Sequence, residues 1–474
     1  MVKGCEEATI IEPFNPIIDG NIPCTLVKFA IPLMFAMFLQ VLYGAADVFV
    51  VGLYADKAAI SAIANGTQFM FVVMGFIMGL TVGGTVLIGV RVGEKNTDGV
   101  AQAIGTIGVL FGGMSLILTP FLAGFTGIFV SWMRVPAEAV DYCVHYIFIC
   151  SLGIPFIIGY NVVSAIYRGL GDSKTPLIFV GIACILNIIV DFILIGGFRM
   201  STMGAALATV LSQGISFFLA VLYMRKKGCG FQICRRHFTL NREVISKIIR
   251  VGLPLACQDC LVSISFMIIM IFVNTMGLVA SASVGISGRI IGFCMIPPVS
   301  LAGAVATMTA QNMGAKKTRR AILSLRYGIL FSLIFGVGTW TFFQLVPELA
   351  TGIFTHDVDV RRGAALYLQS FTLDCILVSI IFSMNSYFSG CGKSFVCMIY
   401  SLASTFGIRV PAAYWISTLP SCTLYHLGFA APAATLFSIV IAVIYFVYVQ
   451  REISSPNVCK NDKNLEDMGN VGIA

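Results

Sequence analysis

Apolar residues in this chain come in long runs, not in an alternating pattern. Read from one charged break to the next, the runs cover residues 28–53, 58–90, 98–125, 137–166, 175–197 and 203–224 in the first half. A basic stretch follows, and six further runs cover 247–276, 280–312, 321–346, 362–388, 395–418 and 428–450. A helix needs about 20 mostly apolar residues to cross a bilayer, and each run meets that. The pattern predicts twelve transmembrane helices in an all-α polytopic membrane protein. Several runs exceed what a bilayer requires, so tilted or kinked helices are expected.

Composition agrees with this reading. Of 474 residues, 58% are hydrophobic and 11% charged, against about 25% charged in a soluble domain. Mean hydropathy is +0.93. The net charge of +8 therefore bears on topology first, because Lys and Arg cluster in cytoplasmic loops; a nucleic-acid partner is not expected. Arg225, Lys226, Lys227, Arg235, Arg236, Arg242 and Lys247 mark the central linker as cytoplasmic. Arg91 and Lys95, Arg168 and Lys174, and Lys316, Lys317, Arg319 and Arg320 fall on the same side. Arg361 and Arg362, beside Glu348, Asp357 and Asp359, are the exception.

Both termini are thus expected inside, in a multi-pass protein of the plasma (bacterial inner) membrane. The expected organisation is a cytoplasmic segment 1–24, a first lobe 25–224, a basic linker 225–246, a second lobe 247–450 and a tail 451–474, polar and disordered. The first residues lack a basic start followed by a short apolar core, so the first span is expected to serve as an uncleaved targeting signal.

The two halves echo each other. "VRVGEK" from Val90 returns as "QNMGAK" from Gln311, an offset of 221 residues (311 minus 90), and "AIPLMF" from Ala30 returns as "GLPLAC" from Gly252. Six spans per half is an even number, so both halves start on the same side and the repeat is parallel. "RGLGDSK" from Arg168 returns as "SGCGKS" from Ser389. The second copy looks like a phosphate-binding loop, yet Tyr387 stands where G-x-x-x-x-G-K-[ST] needs its first glycine. The first copy carries Asp172 in place of Lys393, and an acid repels phosphate. These glycines are expected to permit a tight turn with positive φ, and the broken motif argues against an ATP-driven pump.

Polar residues inside the spans are the functional candidates. An ionised side chain at the bilayer centre costs roughly 2.5–3.5 kcal/mol on insertion scales. Gln40, Tyr43 and Asp47 share one face of span 1. Asn187 and Asp191 share a face of span 5, Thr209 lies in span 6 and Asn161 in span 4. No Lys or Arg within these spans neutralises Asp47 and Asp191, and their hard oxygens suit Na⁺ or a shared proton. The alternative is that each acid hydrogen-bonds a neighbouring helix.

The second half has a different balance. Asp259 begins span 7 and Asp374 lies in span 10, while Arg289 and Arg409 sit in apolar surroundings. Buried opposite charges usually pair, so an ion pair between one of these acids and one of these arginines stands beside a substrate-cavity role. The fifteen cysteines show no disulfide spacing, and Cys257 and Cys260 read as small apolar packing residues. His145, His237, His356 and His426 show no ligand spacing. No nucleophile–base arrangement emerges, so this is not expected to be an enzyme.

On these residues the chain resembles the multidrug and toxic compound extrusion (MATE) family, in its DinF-like branch. The resemblance rests on "AADVFVVG" in span 1, "RGLGDSKTP" before span 5, the N-x-x-x-D of span 5 and the duplicated six-helix plan. It implies two six-helix lobes in a V around a central cavity, and efflux of an organic, cationic or amphiphilic compound by antiport with Na⁺ or H⁺, without other cofactors. It implies a cation site at Asp47, Asn187, Asp191 and Thr209, a bend of span 1 at Pro32, and cavity positions at Gln40 and Asn161. Tyr43, Asp259, Asp374 and Arg289 complete the expected substrate cavity, in a protein expected to act as a monomer. A lipid-linked oligosaccharide or peptidoglycan-precursor flippase is the nearest rival; such proteins commonly have more spans and a cavity rich in Arg and Lys.

Overall fold

The computed structural model describes residues 15–133, 135–227, 234–419 and 423–454. The expected disordered tail beyond 454, most of the N-terminal segment and part of the linker lie outside these residues. Among the described residues every regular element is helical. Ten helices among these residues are long and apolar enough to cross a membrane, and twelve when each of two bent pairs is one span. Spans 1 to 3 are Ile22–Tyr54, Lys57–Gly93 and Thr97–Gly124. Span 4 is the bent pair Ala137–Leu152 and Ile154–Leu170, and spans 5 and 6 are Lys174–Gly197 and Ser201–Lys226. In the second half, span 7 is Arg242–Thr275, span 8 the bent pair Leu278–Cys294 and Ile296–Gly314, and span 9 Thr318–Leu345. Spans 10 to 12 are Leu373–Gly390, Ser394–Thr418 and Leu424–Gln450.

The run 362–388, expected as one span, is divided: a helix Val358–Phe371 precedes span 10, with Thr372 between them. Three breaks have local causes. Spans 4 and 8 bend by 51° and 40° where Pro155 and Pro297 sit in the first turn of the second piece, since proline has no N–H to continue the ladder. Thr372 donates its hydroxyl to the Leu368 carbonyl at 2.7 Å, a back-bond that bends helices.

The repeat is visible in the backbone. Gly171 and Gly392 have φ of +92° and +75°, and Lys95 and Lys316 have φ of +56° and +57°. Each pair stands 221 positions apart (392 minus 171; 316 minus 95). A helix, not a strand, precedes the "SGCGKS" turn. Lys393 lies 6.0 Å from the Tyr445 ring centroid. Asp172, its counterpart, accepts from the Lys174 and Thr175 N–H groups at 2.9 and 3.0 Å and so caps span 5. Both copies are helix–helix turns.

The two halves meet along a seam of close helix approaches. Span 2 packs along span 7, and the second piece of span 8 packs on spans 1 and 2. Small residues let the backbones meet, as is usual between membrane helices. A Cβ on Gly79 would strike the Ala256 backbone, one on Gly83 the Ile248 carbonyl, and one on Gly252 the Leu80 backbone. At the end of the seam a Cβ on Gly93 would strike the Gln311 carbonyl, and one on Gly314 the Val90 carbonyl. Val90 and Gly93 correspond to Gln311 and Gly314, so this last contact is two-fold symmetric.

The same end is strapped by the helix Pro16–Asp19. Ile17 belongs to the apolar cluster of Val305, Met308 and Phe388 in the second lobe, and its side chain lies against Gly171 of the first. Arg320 donates to the Gly20 and Ile17 carbonyls at 2.6 and 3.4 Å. Lys317 reaches the Asp19 carboxylate at 2.7 Å. At the opposite end Arg361 pairs with Glu348 at 3.0 Å, which offsets the charge that broke the loop pattern.

Candidate functional site

Three helices bring the first-lobe acids together. Span 1 carries Asp47 and span 6 carries Thr209, whose hydroxyl donates to Asp47 Oδ2 at 3.3 Å. Span 5 carries Asn187 and, one turn later, Asp191, the last α-helical residue before a π-helical turn, Phe192–Gly197. The matching helix of the second lobe, span 11, also holds a π-turn, Thr405–Arg409. Such turns insert an extra residue and are frequent at functional sites.

Asp47, Asn187 and Asp191 are 5%, 1% and 0% exposed. Asp47 faces both Asp191 and the Asn187 amide. Among the described residues, five side-chain atoms here have no hydrogen-bond partner: Asp47 Oδ1, both amide atoms of Asn187 and both carboxylate oxygens of Asp191. Among the described residues no Lys or Arg forms an ion pair with either acid. Two carboxylates without a counter-charge cannot both remain ionised and dry. The group is suited to holding a proton, a hard cation or water. No cluster of three or more His, Cys, Asp or Glu able to hold a metal occurs among the described residues.

Further polar groups sit close by. Tyr43 lies beside Asp47 and faces Gln213. Gln213 was missed by the sequence reading; it is buried, its Oε1 has no partner, and its position four residues after Thr209 puts it on the same helical face. Gln40 is half-buried on span 1. Asn161 is buried in span 4, where its amide donates to the Ile157 carbonyl of its own helix at 2.8 Å. Pro32 is buried in span 1, which runs unbroken through it.

The second lobe does not form the ion pair weighed above, among the described residues. Asp374 is 3% exposed with Oδ1 unpartnered, and it lies within reach of the Arg409 charge and of Thr435. The Arg409 guanidinium instead lies 5.1 Å from the Phe266 ring centroid, with Nε and Nη1 unpartnered. Asp259 and Arg289 lie on faces that other helices leave exposed. Cys257 and Cys260 are free thiols. His237 is buried in the linker 3.2 Å from Asp98, and His426 caps the short helix that opens span 12.

Known proteins share this architecture. The family model described as MatE matches residues 32–193 and again 254–415, copies offset by 222 positions (254 minus 32). A model for the lipid II flippase MurJ matches residues 126–272. The Bacillus subtilis protein YpnP, named a probable multidrug resistance protein, is 28% identical over 438 residues, 91% of this chain and 96% of its own. YoeA of the same organism, similarly named, is 24% identical over 431 residues, 90% of this chain and 93% of its own. A solved MOP-superfamily transporter from Pyrococcus furiosus superposes with a TM-score of 0.85 at 22% identity, covering 93% of this chain and 97% of that one. A family match across both halves, on twelve helices with the same duplicated plan, leads to one assignment: the chain belongs to the MATE family of membrane transporters.

Proposed function

We propose that this chain is a secondary active efflux transporter, exporting an organic, cationic or amphiphilic compound in exchange for Na⁺ or H⁺. The observation that carries the reading is the group of five unpartnered atoms on Asp47, Asn187 and Asp191, buried together without a counter-charge. Relatives named for multidrug resistance agree with an organic cargo. Asp47 and Asp191 supply negative charge, the Asn187 carbonyl and the Thr209 hydroxyl supply further oxygens, and the Thr209 hydrogen bond holds the Asp47 carboxylate in position. A carboxylate pair that accepts either the coupling cation or a cationic cargo, never both, exchanges the two by competition. One cation moving inward gains about 2.3 kcal/mol per 100 mV of inside-negative potential. The strapped end carries Arg91, Lys95 and Lys316 to Arg320, so we take it as cytoplasmic.

The test is ethidium flux in proteoliposomes without ATP, driven by an imposed Na⁺ gradient and, separately, an imposed pH gradient. Uphill flux with one gradient, abolished in Asp47→Asn and Asp191→Asn, is the expected outcome. Flux that survives both substitutions would sink the site. The MurJ match over 126–272 favours a second reading, a flippase for a lipid-linked pyrophosphate; translocation of such a lipid with no ethidium flux would select it.

A further inference from the structure

A recess of about 850 Å³ opens in the first lobe between spans 3, 4 and 6, away from the acid cluster. Its floor is apolar and fully packed behind, with Ile104, Phe111, Ile158 and Ile166 buried. The neighbouring residues on spans 3 and 6, Leu116, Ile117, Phe218 and Leu222, are exposed apolar side chains, the composition of a surface that faces hydrocarbon. The recess therefore opens towards the bilayer.

Missing side chains create the space. A Cβ added at Gly112 meets nothing within 4 Å, and one at Gly108 meets only a Phe238 ring carbon at 3.8 Å. The other end of the recess is polar. Arg225 and Cys234 line it together with Phe238. The linker is fixed there by the Thr106 hydroxyl donating to the Thr239 carbonyl at 3.0 Å and by the Asp98 contact with His237 at 3.2 Å. Arg225 is exposed at the end of span 6 and forms no ion pair among the described residues. Its neighbour Arg236 is neutralised by Asp98 at 3.0 Å.

We infer that this recess binds one anionic phospholipid from the bilayer, an acyl chain lying along Gly108 and Gly112 and the phosphate on Arg225. The volume is that of a small-molecule pocket. An apolar trough ending in an unpaired guanidinium at the membrane interface complements a molecule with a hydrocarbon chain and an anionic head. The inference rests on the membrane fold alone, independent of the coupling ion or the cargo.

The test is native mass spectrometry of the purified protein exchanged into mixed phosphatidylcholine and phosphatidylglycerol. Wild type should retain one phosphatidylglycerol, preferred about fivefold over phosphatidylcholine, as expected for one basic residue at an interface. Gly112→Leu, which fills open space, should lose the bound lipid while its delipidated melting temperature is unchanged. Arg225→Gln, on an exposed position, should keep a lipid but lose the preference for the anionic head. Retention by Gly112→Leu equal to wild type, a preference unchanged in Arg225→Gln, or no lipid retained by wild type would each overturn the inference.

Discussion

The seam between the two halves can be forced apart by a single methyl group. At Gly93 the obstacle to a Cβ is the Gln311 carbonyl, and at Gly314 the Val90 carbonyl. Both are backbone atoms of helices, unable to rotate aside as a side chain would, so Gly93→Ala or Gly314→Ala must part the lobes locally. Overpacking of this kind costs about 1–3 kcal/mol. Taking about 2 kcal/mol, and about 1.4 kcal/mol per factor of ten, each substitution shifts the equilibrium away from the strapped, closed end by roughly 30-fold. The two sites share one contact, so the second methyl meets a seam already parted and the double variant shifts by less than the product. Spin labels at the exposed positions Thr97 and Arg319, one on each lobe at this end, read the separation by pulsed EPR. The expected result is a longer-distance population in each single variant and none in Gly112→Ala, where a Cβ meets nothing. Unchanged distance distributions in folded Gly93→Ala and Gly314→Ala would show that the glycine contact does not set the closure.

Four further outcomes are open to measurement. Thr209→Ala removes the 3.3 Å bond to Asp47, a neutral donor worth about 1 kcal/mol; apparent affinity for the coupling cation should fall about fivefold with uphill flux retained, read from the cation dependence of efflux. Arg320→Gln removes charged donors to the Gly20 and Ile17 carbonyls, each worth about 1.5–3 kcal/mol, and amide exchange at Ile17–Gly20 should accelerate by tenfold or more. Lys317 holds the Asp19 carboxyl below its ordinary range; a depressed carboxylate contributes fully above its unfolded value and loses that contribution as pH falls through the folded one. Strap protection should therefore be flat from about pH 5 to 8 and weaken only below about pH 4, a drop that Asp19→Asn removes. Lys393→Ala should leave gradient-driven flux intact, and a photoreactive ATP analogue should not label the "SGCGKS" turn; labelling there would contradict its reading as a helix–helix turn.

Much of the fold was legible because a bilayer imposes a coarse rule: a run of apolar residues between charges is a span. The repeat was legible in short echoes, and the positive φ at Gly171 and Gly392 is what a glycine in each tight turn requires. The acid cluster was legible because an unpaired Asp in a span stands out on cost alone. What escaped depends on packing. Gln213 is one polar residue among several in span 6, and only the approach of spans 1, 5 and 6 gives it a neighbour. The π-turn after Asp191 has no composition signal, and neither does the threonine that divides the run 362–388. The Arg409–Asp374 separation was hidden because charge complementarity along a sequence says nothing about a nearby Phe266 ring that takes the guanidinium. The strap was hidden because four helical residues are too few to show a period.

The strap also sets an order of events in synthesis. Asp19 and Lys317 are 298 residues apart in the chain, so the helix Pro16–Asp19 docks against a surface made much later. At 5–20 residues per second that interval is about 15–60 s. Throughout it, Ile17 and the first turns of span 1, Ile22, Leu26 and Phe29, lack the second-lobe residues they finally pack against. The newborn first lobe therefore waits in the membrane with an incomplete edge until spans 8 to 12 supply the rest of that cluster. A chain stopped anywhere before Lys317 keeps that edge open, with the apolar side chains of Ile17, Ile22, Leu26 and Phe29 short of their final neighbours.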